Sequence, residues 1–193
     1  APIVDDLNWR IVGLADFDGD SLSDLYWRNV VTGLTYVWLM KGAEPTTMQP
    51  VHMEPDQGWK VVGTGDFNGD GRSDVLWRHS ATGTNYVHLM SGTSILPSSG
   101  PLPTVREAEW VVAAVDDFDG DGRADIYWRN SATGECYLWL MSSLSVTRMQ
   151  RVHSAIGAAG DGAVVVVWSD NGDGGLRTNG AWGVSARVFN PDG

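Results

Sequence analysis

The sequence predicts an all-β chain made of repeated four-stranded units of about fifty residues, and three observations predict it. First, Trp9, Trp59 and Trp110 recur at spacings of 50 and 51 residues. The same spacing relates Trp27, Trp77 and Trp128, then Tyr36, Tyr86 and Tyr137, then Met40, Met90 and Met141. A fixed period of this length marks a solenoid, propeller or array and outranks local secondary-structure readings. Second, no segment carries a 3.6-residue apolar period, so almost no helix is expected. Third, one nine-residue acidic loop occurs three times in register.

The second unit shows the elements most plainly. Trp59-Lys60-Val61-Val62-Gly63 is short and β-branched and reads as a first strand. The acidic loop follows. Asp74-Val75-Leu76-Trp77-Arg78 leaves it as a second strand, Ser80-Ala81-Thr82-Gly83 turns, and Asn85 to Met90 returns as the third. A weaker fourth stretch is expected at Thr46 to Met53 in the first unit and at Val146 to Val152 in the third. Four short antiparallel strands in this length make one blade of a β-propeller. The blades begin near Trp9, Trp59 and Trp110 and occupy residues 1–153.

Residues 154–193 are related but different. Ala163 to Ser169 reads as a buried strand, Asp170 to Ala181 as a Gly/Asn/Asp loop, and Trp182 to Phe189 as an alternating strand. The acidic loop has shrunk to Gly160-Asp161-Gly162. This segment is a degenerate fourth blade or the start of a different surface repeat. It lacks an outer strand, and Ala1 to Val4 align with the end of that strand in the other units. The N-terminus can therefore close a four-bladed ring. A piece of a larger propeller, or an array completed by another chain, stays open beside that.

The three loops are Asp16 to Asp24, Asp66 to Asp74 and Asp117 to Asp125. Each places an acidic or amide side chain at positions 1, 3, 5 and 9. A hard cation needs several oxygens on one small sphere, and alternate positions of a tight loop can point inward together. The loops hold 11 of the 24 acidic residues. About three Ca2+ ions would bring the formal net charge from −11 to −5. The acidity is thus mostly a cation requirement. No basic stripe exists to meet phosphates, so nucleic acid is not an expected partner. No run of eighteen apolar residues predicts a membrane span. The start of the chain has no basic region followed by an apolar run, so a secretory signal, if there was one, is already gone. Cys136 is the only cysteine, so metal loops rather than disulfides are the expected staples. Loops of this kind fill at the millimolar calcium found outside cells, and an extracellular location follows as the expectation.

Ten tryptophans invite a ligand-binding reading. Flat aromatic faces stack on sugar rings, with Arg, Asn or His nearby to bond hydroxyls. Trp38, His88 and Trp139 occupy one equivalent position, and His88 breaks the Trp pattern as a partly wet face would. Trp27, Trp77 and Trp128 are read first as packing residues between blades. Arg28, Arg78 and Arg129 follow them directly and take either a ligand carboxylate or the carbonyls of a neighbouring blade. The histidines have no metal spacing, no nucleophile elbow is present, and paired carboxylates occur only in the cation loops. No enzymatic activity is expected.

The string from Trp59 to Arg78, repeated from Trp9 and Trp110, resembles the FG-GAP or VCBS repeats of integrin α-subunit propellers. It is closer still to those of bacterial secreted proteins and of a fungal integrin-like lectin. The resemblance covers residues 9–141, and the tail resembles a different short repeat of large bacterial surface proteins. It implies a β-propeller with calcium between the first two strands of each blade. By position, the side-chain ligands it implies are Asp16, Asp18, Asp20 and Asp24. In the second loop they are Asp66, Asn68, Asp70 and Asp74, and in the third Asp117, Asp119, Asp121 and Asp125. Leu22, Arg72 and Arg123 would add backbone carbonyls. Ser21 departs from the usual glycine. The implied role is adhesion or binding of a carbohydrate or an extracellular protein. A subunit that self-associates through blade edges, or an accessory propeller of a larger extracellular enzyme, are the alternatives.

Overall fold

A computed structural model describes residues 4–152, with strand residues 157–158, 164–166 and 187–189. Among the described residues there is no helix, as the missing 3.6-residue period implied. The first unit is a meander of β1 (Trp9–Ala15), β2 (Asp24–Asn29), β3 (Leu34–Lys41) and β4 (Glu44–Met53), paired in that order. The second contains β5 (Trp59–Gly65), β6 (Asp74–His79), β7 (Asn85–His88), a small hairpin β8 (Met90–Ser91) and β9 (Ser94–Ile95), and β10 (Gly100–Leu102). Its four-stranded sheet runs β5-β6-β7-β10. The outer strand is short because Pro97, Pro101 and Pro103 remove ladder donors, which only an edge tolerates. The third unit repeats the first as β11 (Trp110–Asp116), β12 (Asp125–Asn130), β13 (Cys136–Ser142) and β14 (Ser145–Val152).

Beyond them β15 (Gly157–Ala158), β16 (Val164–Val166) and β17 (Arg187–Phe189) pair antiparallel, with Val164 opposite Phe189. β16 and β17 fall within the two strands expected there, whereas β15 was not expected. The expected tail loop, the remnant at Gly160-Asp161-Gly162, and residues 1–3 of the proposed closing strand lie outside the described residues.

Apolar side chains meet between units. Phe17, Tyr26 and Val37 of the first unit pack with Val75, Trp77 and Met90 of the second. Phe67, Leu76, Val87 and Leu89 of the second pack with Ala124, Ile126, Trp128 and Met141 of the third. Each fully buried Phe stabilises by roughly 1.5–3 kcal/mol, so much of the core is the joint itself. The first strands lie side by side, β1 against β5 and β5 against β11. Each carries a bulge at one equivalent point, Ile11/Gly13, Val61/Gly63 and Val112/Ala114. The approach is close: a Cβ on Gly63 would lie 2.4 Å from Cγ2 of Val115.

The turn between second and third strands holds a second close approach. Gly83 has φ +70°, and a Cβ there would lie 1.8 Å from the Val105 carbonyl oxygen. Gly134 has φ +76° but open space around it. Gly83→Ala is therefore expected to cost about 3 kcal/mol or more, from left-handed strain plus backbone overlap, and Gly134→Ala only about 1 kcal/mol. Denaturant unfolding of the two variants checks this, and equal costs would contradict the crossing at Val105.

Candidate functional site

Each acidic loop folds around its own carboxylates. Oδ1 of Asp16 accepts from the N–H of Gly19 at 2.7 Å and Oδ2 from Ser21 at 2.7 Å. Asp66 repeats this with Gly69 and Gly71, both at 2.7 Å. Asp117 repeats it with Gly120 at 2.7 Å and Gly122 at 2.9 Å. The sixth position has positive φ in all three loops, 67° at Ser21, 81° at Gly71 and 83° at Gly122. A serine held there is strained by its Cβ. Ser21→Gly is expected to stabilise by roughly 0.5–1 kcal/mol after the entropy gained by the unfolded chain is subtracted. A thermal melt reads the sign, and a loss of stability would contradict the strain.

The ninth position closes the loop. Asp24, Asp74 and Asp125 are wholly buried. Oδ2 accepts from the N–H of Phe17, Phe67 or Phe118, each at 2.9 Å. Oδ1 accepts from the N–H of Met40, Met90 or Met141, each at 2.8 Å. One carboxylate thus ties the loop to the end of the third strand, or in the second unit to β8 just past it. The sequence offered a signal for this second bond, since the Asp–Met spacing of sixteen recurs in every unit, but that bond was not anticipated.

Carboxylate oxygens of Asp16, Asp18 and Asp24 lie within 4.8 Å of one another, and so do those of Asp117, Asp119 and Asp125. Ligands about 2.4 Å from one calcium ion lie at most about 4.8 Å apart, so both groups fit such an ion. In the second loop the corresponding residues are Asp66, Asn68 and Asp74, with an amide in place of one carboxylate. Asp20, Asp70 and Asp121 are not in these triads. Their Oδ1 atoms accept from the N–H of Leu22, Arg72 and Arg123 at 2.8–2.9 Å. Asp121 also pairs with the Arg123 guanidinium at 3.1 Å, and Asp70 more loosely with Arg72 at 3.9 Å.

The crowding shows in the acidities. Burial pushes the Asp74 carboxyl up to about 7 against two backbone donors, and the charges of Asp66 and Asp70 add to the push. Asp24 and Asp125 are raised for the same reasons, burial first. A cation among these oxygens would reverse the effect.

The other expected residues line three equivalent clefts. Trp9, Trp27, Tyr36 and Trp38 form the first, of about 370 Å³, bounded by Val4, Asp5 and Asp6. Trp59, Trp77, Tyr86 and His88 form the second, about 300 Å³, bounded by His52 and Glu54. Trp110, Trp128, Tyr137 and Trp139 form the third, about 160 Å³, bounded by Val105. His88 lies edge-on to His52 with ring centres 4.9 Å apart, and burial, with His52 beside it, holds it neutral with its pKa down at about 4.

The arginines lie in the joints. The Arg28 guanidinium sits 5.0 Å over the Trp77 ring and donates to the carbonyls of Trp59, Glu54 and Asp56. Arg78 sits 5.0 Å over Trp128 and donates to Val105 at 2.8 Å and Trp110 at 3.1 Å. Both are buried, and Arg129 is exposed. Of the two roles open to these arginines, Arg28 and Arg78 take the carbonyl one.

Stacked four-stranded sheets with an acidic loop after each first strand define a tandem β-repeat protein. The chain belongs to the FG-GAP-like repeat family, whose model matches residues 16–77 and 66–128, together more than half of the 193 residues. No curated protein and no solved structure matches the chain.

Proposed function

We propose that this chain is a non-catalytic, calcium-stabilised binding module of an extracellular propeller, and that its partner is another protein. The carrying observation is the repeated carboxylate cluster on a loop already shaped by its own N–H groups. Asp16, Asp18 and Asp24 would hold one ion, Asp117, Asp119 and Asp125 a second, and Asp66, Asn68 and Asp74 a third with one charge fewer. Bound calcium supplies charge neutralisation and rigidity, and the loops then hold each first hairpin in shape. Such loops suit a compartment with millimolar calcium. A protein partner is favoured over a carbohydrate because two of the three repeated tryptophan faces already carry a guanidinium. A repeated sugar platform would leave them open.

Chelation tests the calcium reading, because ion binding is linked to folding of the loops. The melting temperature is expected to drop by several degrees in chelator and to recover with calcium. The pH dependence follows from Asp74. Its folded value near 7 lies above the ordinary 3.8, so the folded state holds the proton longer. In chelator that contribution to stability is full below 3.8 and is lost as pH rises through about 7. Calcium favours the ionised carboxylate and should therefore raise the melting temperature more at pH 8 than at pH 5. An unchanged melt in chelator ends the calcium reading. A glycan array is expected to be blank, and specific sugar binding would restore the carbohydrate reading.

A further inference from the structure

The two internal joints obey one rule. The arginine at the end of a unit's second strand lies over the second-strand tryptophan of the next unit, as Arg28 on Trp77 and Arg78 on Trp128. Its N–H groups meet carbonyls of the segment entering that next unit, at Glu54 and Trp59 or at Val105 and Trp110. The eighth loop residue adds a backbone bond across the joint: Ser73 donates to the Asp16 carbonyl at 2.7 Å and Ala124 to the Asp66 carbonyl at 2.6 Å. The loop phenylalanine is then covered, with Phe17 and Phe67 both 0 % exposed.

The faces of the first and third units that lie outside these two joints display the two halves of the same joint. On the third unit Arg129 is exposed, and Phe118, equivalent to Phe17 and Phe67, is 42 % exposed. The first unit presents the receiving half. Trp27 is the counterpart of Trp77 and Trp128, and it lines the largest of the three clefts together with Val4 and Trp9, the counterparts of Glu54 and Trp59. Asp5 adds negative charge at its rim. No guanidinium lies over Trp27 among the described residues. The Trp9 carbonyl accepts instead from the exposed Arg10 of its own strand, at 2.9 Å. Ile11 and Leu14, on the strand that would face the incoming unit, are 48 % and 62 % exposed.

We propose that the Trp27 cleft is an arginine socket and that its occupant is Arg129 of a second copy of this chain, docked head to tail. The association repeats the internal joint: guanidinium on indole face, N–H groups to the Val4 and Trp9 carbonyls, and Phe118 of one copy covered by the first unit of the next. Socket and plug sit on different faces, so the contact is heterologous, and its repetition closes a ring or extends a filament according to the rotation between copies. The inference names the protein partner of the reading above but does not depend on calcium.

Sedimentation velocity in calcium tests it across the micromolar range. The wild-type protein is expected to gain mass with concentration. Arg129→Ala and Trp27→Ala should each weaken association about 30-fold or more. An equimolar mixture of the two variants should form a dimer and stop there, because one supplies only the socket and the other only the plug. N-acetyl-arginine amide should dissociate the wild-type assembly, and the lysine analogue should not, since an ammonium lacks the planar fork. A wild-type protein that stays monomeric overturns the proposal, as does a variant mixture that stays monomeric or an Arg129→Ala protein that associates normally. Arg129 is exposed, so its variant keeps the test valid even where Trp27→Ala does not fold. Melting each variant with and without chelator reads the calcium assignment separately, so either reading can fail alone.

Discussion

Asp74→Ala is expected to lower stability by about 2–5 kcal/mol, among the largest effects of any single substitution in this chain. Asp74 is buried, and its two oxygens accept from the backbone of Phe67 and Met90. Alanine leaves both N–H groups in the core without an acceptor, at roughly 1–3 kcal/mol each. The loss should persist in chelator, because these bonds need no ion. Asp74→Asn keeps one acceptor oxygen and should cost less. Asp70→Ala removes a carboxylate at the exposed tip of the loop, so its effect should be smaller and confined to the second loop. Denaturant unfolding in chelator ranks the three, and an Asp74→Ala protein no weaker than Asp70→Ala would contradict the clamp.

Arg78→Lys should be nearly as harmful as Arg78→Ala, at about 3 kcal/mol or more. The guanidinium donates to Gly83, Val105, Trp110 and the Asn85 side chain while lying over the Trp128 ring. A planar five-donor fork can serve these acceptors together. An ammonium has three donors on a point charge and no face to stack. Losing part of the set leaves buried carbonyls unpaired and opens the joint between second and third units. Exchange of the Val115 and Ala124 amides with deuterated water, read beside global unfolding, should report that opening. Full rescue by lysine would show that charge alone holds the joint.

Much of this was legible in the sequence because the repeat is strict. The Trp, Tyr and Met columns fixed the period, and β-branched runs beside Thr-Gly turns located the hairpins. The outer strand of the second unit was harder, since Pro97, Pro101 and Pro103 break the alternation that marks a strand. The loop residues were found by position, yet their unequal roles were not. Spacing alone cannot show that Asp24, Asp74 and Asp125 turn into the core while Asp20, Asp70 and Asp121 sit at the loop tip. That difference depends on which backbone N–H groups the folded hairpin brings near. The arginines were placed between two roles, because alternation gives the face of a strand but not the identity of what covers it.

The siting of the core between sheets has a consequence for how such chains grow and shrink. A lone unit would fold around half an interior, with its phenylalanine and arginine presented to water, so a single cassette is not self-sufficient. Whole cassettes of 50 or 51 residues can be added or lost without disturbing any remaining seam, whereas a cut within a cassette spoils two. The matched family segments, 16–77 and 66–128, each run from one loop past the next to the following tryptophan. What recurs as a recognisable text is therefore the seam, and the lineage of this chain is written in its junctions more than in its sheets.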